Sequence, residues 1–176
     1  MKNIELFWNI VYYGIYKFDV YLRHLVGYLN PFTLIHKIRG VKKYYSEHDV
    51  DDVNKVRNRI LGNRRTGISS IRSGAAIGGI LVLFEYCLFN LIQRITQLSL
   101  IENIWQNSSN FITYLVILLL PVILINHLLL FKNDKYLSYF DEFDKMDERK
   151  QRRYYLLSLT TILLIIVLFV LSFTLL

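Results

Sequence analysis

The chain has 176 residues, 53% of them apolar and 20% charged, with a mean hydropathy of +0.31. That apolar content excludes a disordered or collagen-like chain, the lone Cys87 excludes a disulfide scaffold, and the length suits one compact unit. The net charge of +7 then has to be explained by where the basic residues fall.

Leu6 to Tyr16 is apolar or aromatic except for Asn9, but it is only 11 residues long, too short to cross a bilayer. Its apolar core is interrupted and no small-residue cleavage site follows, so a signal peptide is not predicted. Ile4, Phe7, Trp8, Val11, Ile15, Phe18 and Leu22 recur at helical spacing, and Tyr12, Tyr13, Tyr16, Tyr21 and Tyr28 add rings of the kind enriched at headgroup depth. The spacing predicts an amphipathic helix from Ile4 to about Leu29, lying in the membrane interface or across the cytoplasmic ends of the spans, and ended by Asn30-Pro31. A fourth, imperfect span from Leu6 to Val26, carrying Asp19 and Arg23, is the competing reading.

From His36 to Arg72 the sequence holds ten Lys and Arg against four acids. Asp49, Asp51 and Asp52 stand at the start of an apolar stripe of Val50, Val53, Val56 and Ile60, a pattern that predicts a short cytoplasmic helix closed near Gly62. Lys42, Lys43, Arg57, Arg59, Arg64 and Arg65 are the candidates for contact with anionic lipid headgroups or with a partner. Nucleic acid is not the expected partner, because no recognition module accompanies the charge.

Three runs then reach the roughly 20 residues that a bilayer requires: Ser73 to Ile92, Phe111 to Phe131 and Leu156 to Leu176. Between the second and third, Lys132 to Arg153 mixes seven basic and six acidic residues, with Tyr136, Leu137, Phe140 and Phe143 at the spacing of another short helix. Of the 21 basic residues, 13 precede the first span, Arg94 alone lies between the first and second, and seven lie between the second and third. Since Lys and Arg are retained in cytoplasmic loops, the amino terminus is predicted inside and the carboxy terminus outside a prokaryotic inner membrane. The fold class is all-α: a polytopic membrane protein with a cytoplasmic and interfacial region over 1–72 and a transmembrane region over 73–176.

Little in the chain suggests reaction chemistry. None of His24, His36, His48 and His127 has a second His or Cys at the i+3 or i+4 spacing of a zinc site, and Gly74, Gly78 and Gly79 lack the Lys of a phosphate loop. No metal, cofactor or catalytic residue is predicted, and the chain is not read as an enzyme. The first span carries the informative residues. Gly74 and Gly78 form a small-xxx-small pair, Gly79 broadens it, and Glu85 falls within about 40° of both on the helical wheel. An acid at mid-depth must face protein or water, so Glu85 is a candidate pore or polar intramembrane group, with Asn126 and His127 near the inner end of the second span.

Three spans enclose little interior, which predicts a homo-oligomeric pore or permeability effector gated from its cytoplasmic face. The second expectation, from a different class, is a membrane-anchored regulatory partner of a cytoplasmic protein. Its general layout is comparable to that of small membrane accessories encoded beside RNA-guided phage-defence nucleases, with no residue motif to carry the likeness.

Overall fold

The computed structural model describes residues 2–29, 38–47, 60–97, 104–105 and 107–174, and none of these lies in a strand. The helices are α1 (Lys2–Leu29), α2 (Arg39–Glu47), α3 (Ile68–Thr96), α4 (Ser108–Asn126), α5 (Lys135–Asp144) and α6 (Glu148–Thr174). Three stretches are long and apolar enough to cross a membrane: α3, α6, and Ser108–Asp144, which contains α4. They hold the first two predicted spans and the third as far as Thr174, so the fold is all-helical with three stretches that suit a membrane protein by length and composition. α1 is not among them. The short helix predicted after Asp49 lies outside the described residues, whereas the one predicted around Tyr136 to Phe143 is α5.

The chain divides into two compact units, residues 1–14 with 75–176 and residues 15–74. In the first unit, Gly78 of α3 faces Val122 and Asn126 of α4, while the Phe89 and Tyr114 rings meet 5.3 Å apart, so these two helices run antiparallel. α3 runs parallel to α6: Cys87 Sγ donates to Leu168 O at 3.6 Å and Asn90 Nδ2 donates to Ser172 Oγ at 2.9 Å. That is an up-down-up arrangement. Only 22%, 17% and 11% of the most apolar windows of the three spans are buried, which leaves most of their surface to lipid or to other chains.

The first half of α1 packs where α4 ends and α6 begins. Trp8 to Tyr13 are six consecutive buried residues, so the helix is covered around its whole circumference there. The sequence stripe is therefore only partly the packed face: Trp8 and Val11 are buried, Ile4, Phe7, Phe18 and Leu22 are exposed, and Tyr12, Tyr13 and Tyr16 are buried instead of standing at the rim. The reason is aromatic packing. Tyr12 contacts Phe131, Tyr136 and Phe140 at centroid distances of 5.9, 5.6 and 5.4 Å, and Tyr13 contacts Phe140 and Phe143 at 5.2 Å each. Tyr13 Oη also donates to Asp144 Oδ1 at 2.5 Å.

Against α6 the fit depends on Gly14. A Cβ there would overlap Ser158 Oγ and Cβ, and Ser158 Oγ donates to Val11 O at 3.1 Å. In the second unit, Asn63 Oδ1 accepts from the backbone N–H groups of Arg65 and Thr66, and Gly67 N donates to Asn63 O at 2.8 Å, which turns the chain into α3. Tyr16 Oη donates to Gly62 O at 3.3 Å.

Gly14→Leu is expected to lower stability by about 1–3 kcal/mol through overpacking at the α1–α6 crossing. Gly40→Ala in α2, where no atom lies within 4 Å of an added Cβ, should be neutral or stabilising. Thermal unfolding in detergent measures both, and equal shifts would show that α1 does not pack closely on α6.

Candidate functional site

The chemistry of the first unit concentrates at the end of α4. A helix that stops must satisfy its last carbonyl groups, and here α4 widens into a π turn over His127–Phe131 before a 3-10 turn over Lys132–Asp134. Asn133 and Asp134 have φ of 59° and 52°, two successive left-handed residues of the types that tolerate that conformation, and they reverse the chain into α5. The turn's carbonyls are met by side chains from elsewhere. Asn9 Nδ2 donates to Leu129 O at 3.0 Å and to Glu5 O at 2.8 Å, and Lys135 Nζ donates to Leu128 O at 3.3 Å.

One turn of chain earlier, Trp8 Nε1 donates to Asn126 Oδ1 at 3.0 Å in a buried contact. The other side of the same amide faces α3: a Cβ on Gly78 would stand 3.8 Å from Asn126 Nδ2. Asn126 thus bonds to α1 and faces Gly78 of α3 across a space that a methyl group would fill. Beside this junction Lys135 Nζ lies 2.8 Å from Glu5 Oε2, and Tyr139 Oη donates to Glu5 Oε1 at 3.2 Å. The hydrogen bond from Lys135 holds the Glu5 carboxyl below its ordinary value of 4.5, with burial working against it.

Glu85 lies about two turns along α3 from Gly78 on the same face, and about one turn before Phe89. It is half-buried and, among the described residues, makes no hydrogen bond or ion pair. The α4 residues Leu115 to Leu120 between the two flanking contacts are all apolar, so no side chain there can meet it.

The other sequence candidates are dispersed. Gly78 packs within its own chain against α4, Gly79 is exposed with nothing within 4 Å of an added Cβ, and Gly74 is half-buried. Asn126 is buried in the Trp8 bond, and His127 is exposed at the start of the π turn. Lys43 and Arg65 are exposed and Arg64 is half-buried, while Arg57, Arg59 and the Lys42 side chain lie outside the described residues. Trp8, Asn9 and Glu5 were not among the candidates. Their signal was Asn9, a polar residue inside an aromatic run, which has to find a partner once buried.

No family model matches the chain, and no curated protein or solved structure is significantly similar to it. Its function has to be read from its own residues.

Trp8→Phe should cost about 1–3 kcal/mol, because it leaves Asn126 Oδ1 buried without its donor, and Asn126→Leu in the same background should recover part of the loss. Stability measured by unfolding of the two variants tests this, and a silent Trp8→Phe would refute it. Glu5 gives a pH signature. A carboxyl depressed on folding contributes its full stabilisation above its ordinary value and loses it as pH falls through the folded value. Glu5→Gln should therefore lower thermal stability at pH 7 and flatten its decline below pH 4.5; unchanged acid sensitivity would show that the pair with Lys135 is inconsequential.

Proposed function

We propose that the chain is one subunit of a homo-oligomeric pore or permeability effector of a prokaryotic inner membrane, gated from its cytoplasmic face. The observation that carries this reading is Glu85, a carboxyl in the middle of an apolar span with no hydrogen-bond or ion-pair partner among the described residues. A carboxyl in hydrocarbon costs at least about 2–3 kcal/mol, so it is met by water or by a neighbouring subunit. Shallow burial of all three spans and the exposed Gly79 beside Ala75 and Ala76 supply surface on which a second copy packs closely.

In this reading the amino terminus, α1 and α5 face the cytoplasm, because 13 and seven basic residues flank that end against Arg94 at the other. The exposed side chains Ile4, Phe7 and Phe18 of α1 then rest in the inner interface. The π turn and the Asn126 junction lie at the cytoplasmic mouth, where a trigger acting on α1 reaches α3 through Trp8, Asn126 and Gly78.

A reporter active only in the cytoplasm should give signal when fused at Ser46 and Ser138 and none at Asn107; signal at Asn107 would reverse or add a crossing. In liposomes, the wild type should conduct, and Glu85→Gln should change ion preference with oligomer size unchanged. Gly79→Leu should weaken assembly. Absence of flux in the wild type together with a silent Glu85→Gln would overturn the pore and leave the membrane-anchored regulatory partner.

A further inference from the structure

The unit of residues 15–74 contains a charged cluster that the pore reading does not use. Asp19 and Arg23 stand one turn apart on α1, and Arg72 near the start of α3 brings Nη1 to 3.6 Å from Asp19 Oδ1. The Arg72 side chain is 66% exposed and that of Asp19 only 18%. The remaining Asp19 oxygen, Oδ2, and two Arg23 nitrogens, Nε and Nη1, are buried with no hydrogen-bond partner among the described residues. Buried polar groups of this kind are normally satisfied, and charged ones most strictly. The cluster therefore lacks an acceptor for a guanidinium and a donor for a carboxylate, side by side.

Its surroundings are apolar and open. Leu22 and Leu25 on α1 and Ile68 and Ile71 on α3 are all exposed. Arg72 immediately precedes the predicted first span, which sets the cluster at headgroup depth. A free anion would satisfy the arginines alone, and it would be opposed by Asp19. A headgroup that carries both a phosphodiester and a primary ammonium satisfies both demands, and its acyl chains match the apolar flanks.

We propose that residues 15–74 hold a specific site for a phospholipid with an amine-bearing zwitterionic headgroup. Its phosphate accepts from Arg72 and from Arg23, whose flexible side chain swings toward the Arg72 edge, and its ammonium donates to Asp19 Oδ2. The acyl chains lie along Leu22, Leu25, Ile68 and Ile71. This goes beyond the pore and stands without it; it requires only that the chain lies in a membrane.

The test uses the full chain, purified and delipidated in detergent, with lipid retention followed by native mass spectrometry. Phosphatidylethanolamine should be retained over phosphatidylglycerol and over phosphatidylcholine, whose quaternary ammonium has no N–H to donate. Arg23→Gln and Arg72→Gln should each weaken phosphatidylethanolamine binding roughly tenfold, the loss of one charge-assisted hydrogen bond. Arg94→Gln, at the far end of α3, should not. Asp19→Asn should bind phosphatidylglycerol as well as phosphatidylethanolamine, because the preference for the amine resides in that carboxylate. If Arg23→Gln does not fold, the Asp19→Asn comparison decides alone. Equal retention of all three lipids by the wild type, a surviving amine preference in Asp19→Asn, or displacement of the lipid by inorganic phosphate would overturn the proposal.

Discussion

The first unit depends on how α4 is ended. A span that stops at the membrane surface presents carbonyl groups that its own helix no longer satisfies, and in a low-dielectric setting each is costly to leave bare. Here the donors are Asn9 Nδ2 to Leu129 O and Lys135 Nζ to Leu128 O, one from α1 and one from α5. Because Asn9 must be buried to reach that carbonyl, the residues around it are buried too. The aromatic cluster of Tyr12, Tyr13, Tyr136, Phe140 and Phe143 follows from this placement, and so does the close crossing of Gly14 over Ser158.

The same junction links the cytoplasmic-facing helices of the pore reading to the span that carries Glu85. The Asn126 amide accepts from Trp8 on one side and faces Gly78 on the other. Glu85 is about 10 Å further along α3 on the same face, at 1.5 Å per residue.

The three long apolar helices were legible in the sequence because length and apolarity alone mark them: Phe111 to Phe131 and Leu156 to Leu176 each reach the roughly 20 residues that a bilayer requires. Periodicity did less well on α1. It marked Ile4, Phe7, Phe18 and Leu22 as one apolar stripe, which is exposed, whereas packing within the chain went to the tyrosines, whose rings fill the gap between α1 and α5. A helix covered on all sides has no periodic signature, so only Asn9 marked it. The Asn133-Asp134 reversal was written in residue types that accept positive φ, yet nothing local distinguishes it from an ordinary polar loop. The partners of Asn126 were beyond reach, since Trp8 lies 118 residues away in sequence.

The polar groups inside the spans also bear on the form of assembly. Asn90 Nδ2 donates to Ser172 Oγ, Cys87 Sγ to Leu168 O and Ser158 Oγ to Val11 O, so these donors are satisfied within one chain, whereas Asn90 Oδ1 is buried without a partner among the described residues. Glu85 has no partner among the described residues, and it lies roughly 120° around α3 from the exposed Gly79. A two-fold dimer that packs Gly79 against Gly79 would cover the small-residue face and leave the carboxyl where it is, still without a partner. A head-to-tail contact joins two different faces, and when it closes it forms a ring. In the pore reading that second arrangement sets the Gly79 face of one subunit against a different face of its neighbour, so the contact need not be the two-fold one that leaves every Glu85 unpartnered.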